Sequence, residues 1–257
     1  MSTREVAGLK RWIGVRHEPF VATIVLIVLW ETLSRLSPWL SIPNFAIPSI
    51  GTIGHGLLKI SLVDVAATMA RVLAALLLSF VTGAALAVAM FTLDPIERYV
   101  RPVIRLLMAV PVVSWVLFAI LWFKGVEFRI VFVLIVVCAP VFVVDLYDGM
   151  KEVSRDLRRM MWSFRPNMAQ YFFKLIFPPI LPGIFTCWKI TLSLAIRVVT
   201  IAELVGATTG IGHQLAVAQE LFSVADVFAW TLVLVTLLYG LESLIVVVEG
   251  RVLRWRA

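Results

Sequence analysis

Two charged side chains lie deep inside a largely apolar stretch, and they are the first candidates for chemistry. Arg197 and Glu203 stand six residues apart within residues 183–205. A charge at membrane depth costs several kcal/mol by insertion scales and usually faces a helix-bundle interior or a water-filled path. Arg197 can therefore attract an anionic solute, or form a buried ion pair with Glu203 or Glu242. Glu203 can line the same path or hydrogen-bond between helices.

A proline interrupts another apolar stretch. Pro111 lies early in residues 106–123, close to Ser114 and Trp115. Irregular backbone at membrane depth is tolerated where it is buried in protein or lines a cavity. Ser114 and Trp115 therefore join the two charged residues as candidates for a solute path, while a kinked helix with a purely structural role stays open as the alternative.

Common catalytic motifs are absent from the sequence. There is no phosphate-cradling GxxxxGK[ST] loop, and no HExxH, CxxC or GxSxG motif occurs. The three histidines are scattered, and Cys138 and Cys187 lie in or beside apolar runs without metal-ligand or disulfide spacing. We therefore expect a chain that is not an enzyme and that holds no metal and no cofactor of its own.

The composition indicates a membrane protein. Of the 257 residues, 61% are hydrophobic and only 15% are charged, whereas soluble domains are about half apolar and a quarter charged. The formal net charge of +7 would suggest a nucleic-acid partner if the chain were soluble. Here the basic residues lie mainly between apolar runs, where cytoplasmic loops carry them, so we expect membrane lipid and no nucleic acid as partners.

Six apolar stretches are long enough to be considered as membrane-spanning helices. A spanning helix needs about 20 residues, with some latitude for tilt and snorkelling side chains. The alternation expected for barrel strands is absent, and only helices or closed barrels satisfy the backbone in lipid. We therefore predict an all-α, multi-pass fold of about six transmembrane helices, at residues 20–36, 72–93, 106–123, 130–144, 183–205 and 227–248.

Lysine and arginine are distributed unevenly between alternate connections. The N-terminal segment, the second and fourth connections and the C-terminal tail are basic, whereas the remaining connections are poorer in both residues. Because cytoplasmic loops carry this excess, we expect both termini to be cytoplasmic, which agrees with an even number of spans. We accordingly predict a cytoplasmic N-terminal segment at residues 1–19 and one transmembrane domain at residues 20–257.

The longest internal polar connection, residues 148–182, lies on the predicted cytoplasmic side. A charged amphipathic helix is expected at residues 148–164. The Arg-Pro-Asn sequence that follows should form a turn, because proline disfavours helix before it and asparagine tolerates tight turns. A second helix, residues 168–176, is expected to end at the prolines that follow it. Such a hairpin can dock a soluble partner, or it can lie as an amphipathic hairpin on the membrane surface.

Separate patches along the chain, taken in order, resemble the permeases of binding-protein-dependent ATP-binding cassette (ABC) importers. The branch that serves nitrate, taurine and alkanesulfonates is the most similar, and the resemblance covers nearly the whole chain from about Ile42. Its patches are Pro48-Ser49; Thr68 with Arg71; residues 110–115; residues 119–123 with Gly125 and Glu127; residues 176–178 and 181–183; and Ala202-Glu203-Leu204-Val205-Gly206-Ala207-Thr208-Thr209-Gly210-Ile211-Gly212.

This resemblance implies a type I ABC importer permease fold in a bacterial inner membrane. It further implies a dimer with a second copy or a homologous permease, ATPase subunits that bind ATP and Mg, and a periplasmic or extracellular binding protein that delivers the solute. The cargo would be a small anionic solute such as a sulfonate, taurine or nitrate. The chain itself would supply the path and the coupling without hydrolysing ATP.

In this family the long cytoplasmic loop carries an EAA motif with a glycine and forms the coupling helices that dock on the ATPase. Aligned backwards from Pro178, the three EAA positions hold one arginine and two methionines, and the glycine position holds Arg165. This bulky and basic version favours a dedicated ATPase partner or one half of a heterodimeric pore. The predicted coupling residues are Arg159, Met160, Met161, Phe164, Arg165 and Tyr171.

Rival functions remain open at this point. The same architecture can carry a pyrimidine or flavin precursor, as related permeases do. A secondary transporter would need coupling-ion sites and usually an internal repeat, and a channel subunit would need a recurring filter or gate motif. Neither set of features is visible in the sequence.

Overall fold

The computed structural model describes residues 18–36 and 46–254 and divides them into two compact units. The first unit comprises the described residues up to Ile60 together with Ala218–Trp230, and the second comprises Ser61–Val217 with the described residues from Thr231 onward. Residues 1–17, which form most of the predicted N-terminal segment, lie outside the described residues. Every regular element in the described ranges is a helix, which confirms the all-α prediction.

The first unit contains α1 (Glu18–Leu36) and α2 (Ile50–Leu57). Trp30 of α1 donates its indole N–H to the Pro48 carbonyl at 3.1 Å, and the centroid of its ring lies 5.0 Å from that of Phe228. The hydrogen bond holds Pro48, just before α2, against α1, and the ring contact holds Phe228 beside Trp30.

The second unit is built on long helices. They are, in chain order, α3 (Leu62–Thr92), α4 (Asp94–Ala109), α5 (Val112–Trp122), α6 (Val126–Glu152), α7 (Arg155–Ser163) and α8 (Met168–Gly206). Two further helices, α9 (Ile211–Glu220) and α10 (Val224–Val252), contribute residues to both units. The Ser61 hydroxyl begins α3 by accepting a hydrogen bond from the Asp64 amide, as serine does at helix N-caps.

Three of these helices, α3, α6 and α8, form the core of the second unit. Leu76, Leu134 and Val199, one from each helix, are almost completely buried. Gly83 lets α3 approach α6 closely, because a Cβ atom at this position would lie 2.7 Å from the Cβ of Phe142. Helices in a membrane associate through such close contacts, since lipid tails are as apolar as the side chains themselves.

The six predicted apolar stretches coincide largely with helical structure. Four helices among the described residues are long and apolar enough to cross a membrane, namely α3, α6, α8 and α10, and α4 with α5 would add a fifth as a broken span. The first predicted stretch lies in α1, whose 19 residues are close to the length of about 20 that a span needs. Exposed apolar side chains on these helices, such as Leu26, Leu77 and Leu244, suit contact with lipid.

The third predicted stretch, residues 106–123, is not one straight span. Pro111 is extended, with φ of −58° and ψ of 139°, and α5 leaves at an angle of 97° to α4. Proline lacks the amide N–H that would continue a helix and restricts the residue before it, which accounts for the break. The 11 residues of α5 rise only about 16 Å, less than the bilayer core of about 30 Å.

The prediction that the second hairpin helix ends at the prolines is wrong. The turn Met168–Gln170 continues through a π-helical segment, Tyr171–Ile176, directly into the α-helical segment Phe177–Gly206. Pro178 and Pro179 occupy the first turn of that segment, where amide N–H groups have no partner within the α-helix. The hairpin therefore joins the spanning part of α8 without an intervening loop.

Candidate functional site

A buried polar network forms around Glu203, near the C-terminal end of α8. The side chain of Glu203 is fully buried. Its carboxylate accepts hydrogen bonds from the Thr68 hydroxyl at 2.8 Å, the Arg71 guanidinium at 2.7 Å and the Gly212 amide at 2.9 Å. A buried carboxylate is tolerated when it is paired and hydrogen-bonded, and Glu203 has both kinds of partner.

Arg71 of α3 is the centre of this network. Besides Glu203, its guanidinium donates to the Thr209 carbonyl at 2.7 Å and to the Thr209 hydroxyl at 3.0 Å. It also forms a bidentate ion pair with Glu127 at the start of α6, with Nε 2.8 Å from Oε2. The Glu203 side chain is fully buried, whereas that of Glu127 is 68% exposed. Arg71 thereby links α3, α6, α8 and the loop before α9.

Two further side chains of α3 hold the loop that connects α8 to α9. Asp64 accepts hydrogen bonds from the Gly210 amide and from the Gln214 side-chain amide, both at 2.8 Å. Thr68 accepts a hydrogen bond from the Ile211 amide at 2.9 Å. Amide groups at the start of α9 therefore find partners on α3, as the unpaired N–H groups at a helix start require.

Glycine is required at two positions beside the network. Gly210 has a φ of +117°, a conformation that residues with a side chain rarely adopt. A Cβ atom at Gly210 would lie 2.5 Å from the Glu203 carboxylate, and one at Gly212 would lie 2.6 Å from the Glu203 Cβ. The loop can therefore close over Glu203 only because both positions lack a side chain.

The network brings together patches that are far apart in the sequence. Thr68 and Arg71, Glu127, and residues 202–212 carry the resemblance described above and are neighbours in the structure. The sequence singles out Glu203 for a solute path, and the structure places it in this network; its role along a path stays a prediction. The sequence analysis did not single out Asp64, whose partners in the structure are the neutral amides of Gly210 and Gln214.

Arg197 lies in the spanning part of α8, and it is exposed in the single chain. Its guanidinium donates to the Ser193 hydroxyl, one turn earlier, at 3.2 Å. Glu203 is paired with Arg71 instead, and no carboxylate in residues 18–36 and 46–254 lies within ion-pair distance of Arg197. The alternative of an ion pair with Glu203 or Glu242 is therefore not realised in the described part of one chain.

Ser114 and Trp115 lie in the first turn of α5, directly after the break at Pro111. Both are half-buried, and the Trp115 ring contacts Phe118 edge-on with centroids 6.0 Å apart. The Trp115 indole N–H is buried and has no acceptor among the described residues. A buried donor without an acceptor is costly, so an acceptor from outside the chain would be favourable at Trp115.

The predicted coupling hairpin is present, but its first helix is shorter than expected. Residues 148–152 belong to α6, and α7 starts after Ser154, whose hydroxyl caps it. Arg165, at the position of the family's glycine, has a φ of 46°, which costs roughly 1–2 kcal/mol for a residue with a side chain. Asn167 and Gln170 then form a capping box that begins α8. The turn is thus kept although the glycine is replaced.

Four of the six predicted coupling residues are exposed. The Arg159 side chain is 82% exposed, Met160 and Phe164 are 56% and 74% exposed, and Arg165 lies exposed at the turn. Exposed apolar side chains that lie together mark surfaces for protein or membrane contact. Further exposed apolar residues on the hairpin are Trp162, Met168 and Phe173.

The other two predicted coupling residues, Met161 and Tyr171, are half-buried and pack against the core of the second unit. The Tyr171 ring also lies 5.5 Å from the Trp162 ring, centroid to centroid. These two side chains fasten the hairpin to the helices behind it, so substitutions there would disturb the hairpin as well as any surface contact.

Metal-binding side chains do not cluster in the described ranges, where no group of three or more His, Cys, Asp or Glu residues could hold an ion. Cys138 and Cys187 are both buried and free. The absence of a cofactor in this chain stays a prediction.

Comparison with known proteins matches the chain to a transport family. The model for binding-protein-dependent transport system inner membrane components matches residues 75–254. The chain is 28% identical over 218 residues to the formylaminopyrimidine transport permease protein ThiX of Halalkalibacterium halodurans, covering 82% of this chain and 85% of that protein. It is 27% identical over 239 residues to the taurine transport system permease protein TauC of Escherichia coli, covering 90% and 86%. The resemblance inferred from the separate patches is thereby confirmed.

A solved structure shares the fold. The inward-facing MetNI methionine ABC transporter superposes on 76% of this chain and 94% of its own chain, with a TM-score of 0.62 and 22% sequence identity. At this identity the likeness concerns the fold alone, and it confirms the predicted ABC importer permease architecture.

Proposed function

Because the chain belongs to the family of binding-protein-dependent transport system inner membrane components, we propose that it forms the path of an ABC importer for a small anionic solute. A sulfonate, taurine or a nitrate-like ion fits this proposal. The relative TauC, which is named for taurine transport, supports a solute that carries a sulfonate group.

The environment of Arg197 is the main support for an anionic solute. Its guanidinium is exposed in the single chain, lies within a spanning helix and has no described carboxylate partner. A charge facing hydrocarbon is disfavoured, so this face of α8 is expected to meet a water-filled path or a second chain. The planar guanidinium fork suits oxyanions. Glu203 lies about 9 Å further along the helix, where it is buried and hydrogen-bonded to Thr68, Arg71 and Gly212.

Ser114 and Trp115 are proposed to line the same path. The start of α5 follows a break in the backbone, and α5 packs against α6 and α8. Both side chains can donate a hydrogen bond, and the Trp115 donor has no acceptor among the described residues. Hydrogen-bond donors suit an anion better than a cation.

The hairpin formed by α7 and the start of α8 is proposed to dock the ATPase subunits at the cytoplasmic face. Those subunits would bind ATP and Mg, and this chain would hold no cofactor. A second copy or a homologous permease would complete the path, and a periplasmic or extracellular binding protein would deliver the solute. The exposed apolar side chains of the hairpin support the docking, and the excess of Lys and Arg in alternate connections supports cytoplasmic termini.

Uptake into proteoliposomes that contain the permease, its ATPase and its binding protein tests the proposal. Taurine, nitrate and a formylaminopyrimidine are offered separately. A hydrogen bond to a charged group contributes about 1.5–3 kcal/mol, so Arg197→Gln should lower uptake of the anionic solute roughly tenfold or more, and Arg197→Lys should lower it less. Ser193→Ala is the matched control, because it removes the hydrogen-bond partner of Arg197 and keeps the charge; its uptake should stay near that of the wild type.

The same assay tests a second candidate function, the import of a neutral pyrimidine precursor. The relative ThiX, named for formylaminopyrimidine transport, favours this candidate. Uptake of the pyrimidine but of neither taurine nor nitrate, unaffected by Arg197→Gln, would contradict the anionic solute and establish the second candidate.

A further inference from the structure

The helix α4 presents three different edges. Ile104 is 4% exposed and belongs to the core. Tyr99, Val103 and Leu106, spaced four and three residues apart and thus on one side of the helix, are 79%, 55% and 64% exposed. These three residues, the apolar edge of α4, remain uncovered by the described part of the chain.

The third edge of α4 is cationic. Arg98, Arg101 and Arg105 follow one another at spacings of three and four residues, which places them on one side of the helix. Solvation alone would account for the arginines, but it would not account for the uncovered apolar edge. An apolar edge beside basic residues is typical of helices that lie in the interface of a membrane.

The place of α4 in the chain also fits the membrane surface. It begins at Asp94, two residues after the spanning helix α3 ends at Thr92. It then meets α5 at an angle of 97°. Because α4 and α5 meet at this angle, both cannot run along the membrane normal, and α4, which carries the charged residues of the pair, suits the headgroup region better than the uncharged α5.

Nearby carboxylates neutralise only part of the cationic edge. Arg101 lies 3.5 Å from Glu97 and 3.7 Å from Asp148. Arg98 and Arg105 are exposed, and neither forms an ion pair with a carboxylate in the described ranges. Two arginines are therefore available to an anion from outside the chain.

The other charged groups around α4 in the described ranges leave Arg98 and Arg105 without an ion-pair partner. Glu97 is shared with Lys151 at 3.1 Å, and Asp94 precedes Arg98 by one turn without pairing with it. The Tyr147 ring lies 4.6 Å from the Lys151 ammonium. Asp145 and Glu152 line a separate cavity with Asp148 and with Met108 of α4, so the positive charge on α4 without an ion-pair partner among the described residues is that of Arg98 and Arg105.

A cavity of about 140 Å³ lies beside the cationic edge. Arg101 and Arg105 line it together with Tyr147, whose ring also lies 5.1 Å from the Arg101 guanidinium. Apolar side chains, among them Ile104 and Val143, form much of the remaining wall. Asp148 also lines it and pairs with Arg101, so Arg105 is the cation of the cavity without an ion-pair partner in the described part of the chain, and the apolar wall faces it across the cavity's lining.

We propose that α4 binds the phosphate headgroup of an anionic membrane lipid. Arg98 and Arg105 contact the phosphate, and the apolar edge lies at the boundary of the acyl chains. Free phosphate would use only the cationic edge, and a second copy of the chain would cover only the apolar edge, whereas a lipid uses both. Basic residues beside a span are each favoured at an anionic membrane surface. This inference rests on membership in a membrane family and holds whichever solute is carried.

The test uses the full permease in complex with its ATPase, purified in detergent and delipidated. Thermal unfolding is followed while phosphatidylglycerol, phosphatidylcholine or inorganic phosphate is added. Phosphatidylglycerol should stabilise the wild type far more than the other two additions. Arg98→Gln with Arg105→Gln should weaken its apparent affinity by on the order of fivefold per arginine. The control, Lys59→Gln with Lys124→Gln, makes the same change in charge at exposed positions elsewhere and should respond like the wild type.

Several results would overturn the lipid site. Equal stabilisation by phosphatidylcholine would remove the role of the headgroup charge, and equal stabilisation by inorganic phosphate would replace the lipid by a free anion. An arginine variant that falls apart into single permease chains but keeps its response to phosphatidylglycerol would assign α4 to contact between copies. If the glutamine variant does not fold, native mass spectrometry of the wild type decides, since absence of retained phosphatidylglycerol would contradict the site.

Discussion

The helices of the second unit are held differently at their two ends. At one end, Asp64, Arg71 and Glu203 are each at most 6% exposed and are joined by side-chain hydrogen bonds that link distant parts of the chain. At the other end, the hairpin exposes Met160 and Phe164 by more than half. The network end carries its own partners, whereas the hairpin end presents apolar surface to a partner from outside.

Because of this difference, substitutions at the two ends should affect different properties of the protein. α6 begins with Glu127 in the network and ends at the hairpin, and α8 runs continuously from the hairpin to Glu203. A movement imposed on the hairpin can therefore be carried along α6 and α8 to the network. Substitutions in the network should act mainly on folding, and those on the exposed hairpin surface should act mainly on assembly and transport.

The largest expected effect is that of Arg71→Met. Removing one partner from a buried ion pair costs about 3–5 kcal/mol, because the other charge is left buried and uncompensated. We expect low folded yield and a strongly lowered midpoint of thermal unfolding in detergent. Arg101→Met is the control, since its ion pairs are partly exposed and such pairs contribute about 0–1 kcal/mol. Equal losses of stability in the two variants would contradict the claim that buried ion pairs stabilise the network end more than exposed ones stabilise the rest of the unit.

The next prediction compares the two carboxylates that share Arg71. Glu203→Gln should lower the free energy of unfolding by about 1–3 kcal/mol, because a buried hydrogen-bonded acceptor is altered. Glu127→Gln should lower it by about 1 kcal/mol or less, because its side chain is largely exposed. Thermal unfolding of the two single variants measures the order. A larger loss for Glu127→Gln would show that the exposed pair, and not the buried one, holds the network.

A smaller effect is expected from substitutions at two residues with positive φ, Gly210 at the network end and Arg165 at the hairpin end. Gly210→Ala should destabilise the protein by about 1–2 kcal/mol or more, because alanine is forced into a glycine conformation and its Cβ would meet the Glu203 carboxylate. Arg165→Gly should be neutral or stabilising by up to about 1 kcal/mol, because glycine adopts the positive φ readily. Thermal unfolding compares them, and a destabilising Arg165→Gly would mean that the arginine side chain makes contacts important to the hairpin.

The smallest effect on folding is expected for Phe164→Asp. Surface substitutions usually change stability by less than about 0.5 kcal/mol, and Phe164 is 74% exposed. The ATPase should nevertheless cease to co-purify, because a charge replaces an apolar contact on the proposed docking surface. Retained ATPase and unchanged transport would show that this face of the hairpin does not dock the ATPase.

Much of the fold was predictable because its signals are local. Apolar stretches of spanning length and the distribution of basic residues require no knowledge of distant contacts, and Pro111 marked the stretch that the structure breaks. The prolines after residue 176 misled the prediction, because a π-helical segment leads into them and places them in the first turn of an α-helix. Whether a proline ends a helix or begins a new segment depends on the hydrogen bonding around it.

The buried network around Glu203 could not be predicted from the sequence, for a physical reason. Arg71 and Glu203 are separated by 132 positions, and no periodicity or spacing indicates which of the charges in a chain will meet. The resemblance singled out the patches that contain both residues without showing that they touch. Arg197, by contrast, was found from the sequence because a charge within an apolar stretch is conspicuous whatever it contacts.

The most direct test of the central claim is the accessibility of position 197 in the assembled importer. Arg197→Cys, in a chain whose Cys138 and Cys187 are replaced by alanine, is treated with a charged, water-soluble thiol reagent in membranes. We predict modification at position 197 and no modification of Leu244→Cys on the apolar surface of α10. An unreactive cysteine at position 197, or equal modification at positions 197 and 244, would contradict a water-filled solute path along this face of α8.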